Sequence, residues 1–172
     1  MRIIAAIALL LASPATASVV RADNHGFEVT QSVDVRLSAP DAVTAFTRVS
    51  SWWISDHTYS GNTANLSLDP RPGGCLCEKL PGGGGVEHLR VTYFEPGKIL
   101  ILTGAMGPLL HEAVNGVLIV HADAAPGGSR VTFDYRASGF FTGGGEKFAG
   151  MADRMLGDSI GQYKKFADSS RK

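Results

Sequence analysis

The sequence has no excess of charge of either sign, because sixteen Lys and Arg residues balance sixteen Asp and Glu residues. Proteins that bind nucleic acid usually carry a cluster of basic residues that neutralises phosphates. Here basic residues gather only near the C-terminus, in Lys164-Lys165 and Arg171-Lys172, where cations favour the negative end of a helix dipole. We therefore expect neither a nucleic-acid partner nor binding to an anionic membrane surface.

A hydrophobic run long enough to span a bilayer is also missing. Ile3 to Ala12 is uninterrupted, but a spanning helix needs about 20 apolar residues. The run follows Arg2 and precedes Ala15-Thr16-Ala17, the small-x-small pattern of a signal-peptidase site. The pattern predicts a signal peptide over residues 1–17 that is cleaved rather than retained as an anchor. We expect an exported protein, periplasmic or secreted, with one domain over residues 24–170 and no stable membrane insertion after cleavage.

Cysteine is scarce, and motifs of several enzyme classes are absent. Cys75 and Cys77 are the only cysteines, and their neighbours offer no further ligands at zinc spacing. Alternate strand residues lie near the upper Cα separation for a disulfide, about 6.8 Å. We therefore expect two adjacent free thiols, with a disulfide as the alternative. Neither His-Glu-x-x-His nor a P-loop occurs, so no catalytic residue, metal site or cofactor is predicted.

What the sequence does contain is alternation of apolar and polar residues, which predicts strands. Turn residues rich in Gly and Pro separate the strands from one another. The predicted strands cover residues 27–36, 66–69, 75–80, 86–95, 98–104, 113–122 and 130–138.

Two helical regions flank this β-rich stretch. Ser38 is a helix cap before a short helical region that runs into Trp52-Trp53, followed by a second short helix and a loop. Between Glu146 and Ala167, apolar residues recur at steps of three and four, which indicates one long amphipathic helix. Only this helix is long enough to cover a sheet of that size. We expect an α+β helix-grip fold, in which a curved antiparallel sheet of about six to seven strands wraps around the C-terminal helix.

Several local patterns add to this order of elements. They are the Ala39-Pro40-Asp41-Ala42-Val43 helix start, the Trp52-Trp53 pair, the turn and strand from Pro72 to Glu78, and the Glu95-Pro96-Gly97-Lys98 hairpin. Together with the closing helix they resemble the helix-grip superfamily of START-like or SRPBCC proteins, over roughly Phe27 to Phe166. That superfamily includes START lipid-transfer domains, polyketide cyclases and dehydrases, and Hsp90-ATPase-activator-like proteins. The resemblance implies a fold with a ligand cavity, but fold alone does not choose the ligand.

A curved sheet and a helix do not meet everywhere, so we expect a cavity between them. His57, Tyr59 and His111 are candidates for polar handles at its mouth. If Cys75 and Cys77 face inward, Glu78 faces solvent by strand parity, and His88 is expected to do the same. The predicted ligand-binding residues are Trp52, Trp53, His57, Tyr59, Met106, His111, Phe140, Met151, Met155, Leu156 and Ile160.

Three functional hypotheses follow. The first is an exported protein that holds a hydrophobic small molecule, lipid-like or polyketide-like, in this cavity. The second is an enzyme of cyclase or dehydrase type, in which His57, Tyr59 or His111 moves a proton. The third is a protein-interaction domain with a filled core. Export argues against a cytosolic Hsp90-like partner, and the lack of a catalytic constellation favours the first hypothesis over an enzyme.

Overall fold

A computed structural model describes residues 18–170 as one antiparallel sheet with a long C-terminal helix on one face. The signal peptide predicted over residues 1–17 lies outside the described residues. The α-helices are α1 (Ala39–Phe46) and α2 (Gly145–Ser169). The strands are β1 (Ser18–Asp23), β2 (Gly26–Val35), β3 (Leu66–Leu68), β4 (Cys75–Lys79), β5 (Gly85–Glu95), β6 (Ile99–Thr103), β7 (Ala113–Ala125) and β8 (Gly128–Phe140).

The eight strands pair in the spatial order β1-β2-β8-β7-β6-β5-β4-β3. The predicted α+β architecture is confirmed, with one strand more than the six to seven expected. The extra strand is β1, which pairs with β2 at the edge of the sheet and precedes the predicted domain start at residue 24. Its Val19 and Val20 are exposed, so no buried alternation marks it in the sequence.

The alternating pattern places the core face of the central strands as predicted. Phe27, Val29, Gln31 and Val35 of β2 are buried, and the residues that alternate with them are more exposed. The inward face of β8 is formed by Val131, Phe133, Tyr135 and Ala137, all at most 3% exposed. Apolar burial on one face of the sheet is the main stabilising contribution to such a layer.

Helix α1 begins where the sequence predicts and ends earlier. The Ser38 hydroxyl caps it by accepting a hydrogen bond from the Asp41 backbone N–H at 3.3 Å. After Phe46 the chain turns back, and the Trp52 indole N–H donates to the Phe46 carbonyl at 3.0 Å. Instead of a second regular helix, the chain forms three short 3₁₀ turns, Val49–Ser51, Ser55–His57 and Thr63–Asn65. These turns have no helical apolar period, which is why the sequence does not resolve them.

Helix α2 carries the predicted apolar stripe and packs mainly against β2, with further contacts to β1 and β8. At its C-terminal end an aromatic cluster formed by Phe46, Trp52, Phe133 and Tyr163 fills the space between helix and sheet, with ring centroids 5.1 to 6.4 Å apart. The Tyr163 hydroxyl donates to the Ala42 carbonyl at 2.7 Å and so ties α2 to α1. Within residues 18–170, neither helix has both the length and the apolar content needed to cross a membrane.

Candidate functional site

The other half of the sheet, formed by β3 to β6, is covered by 3₁₀ turns and a loop, and a cavity of about 380 Å³ lies beneath them. This volume falls within the range of small-molecule sites in proteins. We call it the β4–β5 cavity. It is lined by Trp53, Asp56, His57, Thr58, Tyr59, Leu66, Leu76, His88, Met106, Gly107, Pro108, His111 and Met155.

The deep wall of the cavity is apolar. Leu66 and Leu76 project from β3 and β4, Met106 from the loop after β6, and all three are at most 5% exposed. Met155 closes the side nearest α2. The loop that carries Met106 is held by Tyr135, whose hydroxyl accepts from the Met106 backbone N–H at 3.3 Å. An apolar ligand would therefore meet side chains whose positions are set by the core.

A buried carboxylate lies directly behind this wall. Glu78 is 2% exposed and accepts hydrogen bonds from three donors: the Tyr59 N–H at 3.1 Å, the Ser60 N–H at 2.5 Å and His88 Nε2 at 2.9 Å. Burial alone would raise the pKa of Glu78, but the hydrogen bonds from Ser60, Tyr59 and His88 outweigh it and lower that pKa below its ordinary value. Glu78 is therefore ionised at neutral pH.

The inward position of Glu78 corrects the sequence analysis. Leu76 and Glu78 face the core, whereas Cys75 and Cys77 lie on the outer face and are half-buried. Side chains of β4 do alternate between the two faces, but the premise that Cys75 and Cys77 face inward is wrong. Leu76 is larger and more apolar than either cysteine and is therefore the residue of β4 expected to face the core. Glu78 lies two residues later and so faces the same side.

The prediction that His88 faces solvent is also wrong, and here the cause is a β-bulge. Leu76 pairs with Leu89 and Cys77 pairs with Glu87, so His88 is an extra residue in β5. A bulge breaks strict alternation, and both His88 and Leu89 are buried. The His88 ring thereby lines the cavity while its Nε2 contacts Glu78. A single extra residue leaves no periodic pattern, so the sequence carries no recognisable signal for this bulge.

Tyr59 joins two parts of the cover across the cavity mouth. Its hydroxyl donates to the Gly107 carbonyl at 2.9 Å, and its ring centroid lies 5.8 Å from that of His88. Burial and the nearby charge of Glu78 raise the pKa of Tyr59. Tyr59 is nevertheless 46% exposed, so it forms part of the rim and not of the deep wall.

The other predicted polar handles also lie at the rim. His57 Nε2 is 3.6 Å from an Asp158 carboxylate oxygen, and its backbone carbonyl accepts from the Trp53 indole at 3.2 Å. His111 is exposed at the end of the loop 107–111. The structure thus brings six of the predicted residues together around the cavity. They are Trp53, His57, Tyr59, Met106, His111 and Met155.

Five predicted ligand-binding residues do not line the cavity. Trp52, Leu156 and Ile160 are at most 3% exposed and belong to the packed core. Trp52 lies in the aromatic cluster, and Leu156 and Ile160 are buried because α2 packs mainly against β2. Met151 packs at the edge of that core. Phe140 is 76% exposed, since it falls on the outward parity of β8, and the buried aromatic residue is Phe141.

Cys75 and Cys77 form a disulfide, so the expectation of two free thiols is wrong. Their Cα atoms are 5.3 Å apart, closer than the regular strand spacing on which that expectation was based. The two sulfur atoms and a Glu87 carboxylate oxygen lie within 4.8 Å of one another. The disulfide, however, removes the thiolates that a metal ion would need.

A Gly-x-Ser-x-Gly pattern occurs at residues 157–161 but does not form a nucleophile elbow. Such an elbow needs a sharp turn between a strand and a helix. Here the pattern lies inside α2, and Ser159 is fully buried with its hydroxyl 3.8 Å from the Met155 sulfur. Ser159 therefore has no access to a substrate.

Comparison with known proteins identifies the fold. No family model matches the sequence, and no curated protein matches it either. Among solved structures, the chain is similar to the Aha1 dimer from Colwellia psychrerythraea (13% identity, TM-score 0.58, covering 84% of this chain and 98% of that one). It is similar to CalU16 from Micromonospora echinospora (12% identity, TM-score 0.57, covering 87% and 86%). It is also similar to protein MLL2253 from Mesorhizobium loti (14% identity, TM-score 0.58, covering 84% and 99%). At such low identity the likeness extends to the architecture alone, and this chain has a helix-grip-like fold.

Proposed function

We propose that this protein is an exported member of the START-like helix-grip superfamily that binds a hydrophobic small molecule in the β4–β5 cavity. The observation that carries the proposal is the cavity itself: its volume of about 380 Å³ suits a small ligand, and its deep wall is apolar. Apolar contact supplies the affinity in such a site, and a few polar groups orient the ligand.

Export remains part of the proposal and has two supports. One is the signal-peptide pattern over residues 1–17. The other is the Cys75–Cys77 disulfide, because disulfides persist in oxidising compartments such as the periplasm or the extracellular space. Superfamily membership rests on the ordered sequence patterns together with the helix-grip-like architecture.

A cyclase- or dehydrase-type enzyme is the second candidate, and Glu78–His88 is the observation that favours it. The imidazole lies at the cavity wall and a buried carboxylate holds it, an arrangement that orients a general base. Because hydrogen bonds keep Glu78 ionised, this carboxylate positions His88 and does not itself exchange protons. A filled-core interaction domain, the third hypothesis, is the least supported because a cavity is present.

The first test is to identify a bound molecule. The protein is purified from its native host, extracted with organic solvent, and the extract is analysed by mass spectrometry. Met155→Trp places a large ring in the cavity, whereas Met151→Trp makes the same change one turn earlier on α2, outside the cavity lining. We expect a stoichiometric apolar compound from the wild type and from Met151→Trp, and none from Met155→Trp. A wild-type protein that is empty and binds no lipid or polyketide-like aromatic compound contradicts the proposal.

A further inference from the structure

His88 leaves one of its two ring nitrogens without a protein partner. Its Nε2 lies 2.9 Å from Glu78 Oε2, and its Nδ1 makes no hydrogen bond to any described residue. Among the described residues, Gln31 Oε1 is the one side-chain polar atom that is both fully buried and without a hydrogen-bond partner. Because His88 Nδ1 also lacks a partner but is not such an atom, it must be partly accessible. Since the ring lines the β4–β5 cavity, its access is from the cavity.

The buried carboxylate decides which nitrogen carries the proton. Glu78 is ionised and can only accept hydrogen bonds, so His88 Nε2 must be protonated to donate to it. In the neutral imidazole, Nδ1 then presents a lone pair to the cavity. This arrangement matches the general logic by which a carboxylate fixes a histidine tautomer.

The surroundings of Nδ1 make a ligand donor valuable. Leu66, Leu76 and Met106 of the cavity wall have no hydrogen-bond donor in their side chains. Tyr59, whose ring lies beside that of His88, already donates its hydroxyl proton to the Gly107 carbonyl. When an apolar ligand displaces water from this wall, an imidazole nitrogen left unpaired costs free energy. A ligand that brings its own donor avoids that cost.

We propose that the ligand is an apolar molecule with an acidic hydroxyl group (a phenol, an enol or a carboxylic acid) that donates its O–H to Nδ1 of His88. This inference rests on the proposed function and adds the chemical class of the ligand. If the proton moves from the ligand oxygen to Nδ1, the products are an oxyanion and an imidazolium, and no other reactant is needed.

Matched probes test this hydroxyl requirement. Binding of 1-naphthol and of 1-methoxynaphthalene is measured by titration calorimetry; the two share a ring system, and only naphthol can donate. We expect wild-type protein to bind 1-naphthol about tenfold more tightly, the effect of one net hydrogen bond. His88→Leu removes the nitrogen, and the double variant Glu78→Gln/His88→Leu also avoids an unpaired buried charge. In either variant we expect the two probes to bind equally.

A second measurement needs no variant. In ¹⁵N-labelled wild-type protein, the Nδ1 resonance of His88 should shift on addition of 1-naphthol and stay in place with 1-methoxynaphthalene. Equal binding of the two probes, or tighter binding of the ether, with no Nδ1 shift overturns the hydroxyl requirement and leaves the binding function intact. If neither probe binds and the solvent extract is empty, the proposed function fails and this inference fails with it.

Discussion

In the half of the sheet formed by β1, β2 and β8, the covering element is a helix of 25 residues, whereas β3 to β6 are covered by 3₁₀ turns and a loop. The helix presents a continuous apolar stripe, and Leu156, Ile160 and Tyr163 fill the space beneath it to 1% exposure or less. The turns have no such stripe, and they leave a cavity of about 380 Å³. One sheet thus supports a packed core in one half and a candidate binding site in the other.

The two halves also treat their buried polar groups differently. In the packed half, Gln31 is fully buried and its amide N–H₂ donates to an Asp153 carboxylate oxygen at 2.7 Å, but its Oε1 has no hydrogen-bond partner among the described residues. In the cavity half, the Glu78 carboxylate accepts hydrogen bonds from His88 and from the segment that covers the site. The first half thus serves stability, and under the proposed function the second serves recognition.

Two adjacent residues of α2, Met155 and Leu156, test whether the two halves are packed differently. Leu156→Ala opens a new hole in the packed half, and we expect it to lower the free energy of unfolding by about 3 kcal/mol. Met155→Ala only enlarges an existing cavity, so we expect a loss of about 1 kcal/mol. Urea denaturation of both variants measures the difference. Equal losses would show that the cavity half is packed as tightly as the helix half.

We expect the next largest loss of stability from a substitution of Glu78. Glu78→Gln replaces an acceptor of three hydrogen bonds with an amide that must turn one donor toward another, and we expect a loss of about 2 kcal/mol at pH 7. Because the pKa of Glu78 is lowered on folding, its ionised form stabilises the folded state fully above the ordinary value of 4.5. That contribution declines as the pH falls through the folded-state pKa, and the variant lacks it.

The matched control for that experiment is Glu87→Gln. Glu87 lies on the outer face of β5, is exposed, and pairs with Arg90, so its removal should change stability by less than about 0.5 kcal/mol. Urea titrations at pH 7 and pH 4 compare the two variants with the wild type. If the stability gap between wild type and Glu78→Gln stays constant between these pH values, the carboxylate does not have the assigned role.

The same contrast explains how much the sequence predicts. The packed half was predictable, because the alternation in β2 and β8 and the helical period of α2 both reflect burial against a regular partner. The cavity half was predicted only in part. Trp53, Met106 and Met155 were identified from their residue types, but His88 depends on a bulge, and a single extra residue in β5 leaves no period to detect. Leu156 and Ile160 were assigned to the cavity because the position of α2 across the sheet is a tertiary property.

The smallest expected effect on stability concerns the cover of the cavity. Tyr59→Phe removes the hydrogen bond between the Tyr59 hydroxyl and the Gly107 carbonyl, which joins the 3₁₀ segment to the loop 107–111. Tyr59 is 46% exposed, so we expect a loss of no more than about 0.5 kcal/mol in the free energy of unfolding.

The hydrogen bond between Tyr59 and Gly107 also closes one side of the cavity mouth, and its loss should therefore speed dissociation of a bound apolar probe. Stopped-flow displacement of 1-naphthol measures that rate, with Tyr93→Phe as a control on the exposed Tyr93 of β5 outside the cavity lining. An unchanged rate would mean that ligands leave by another route, past His57 or past Met155.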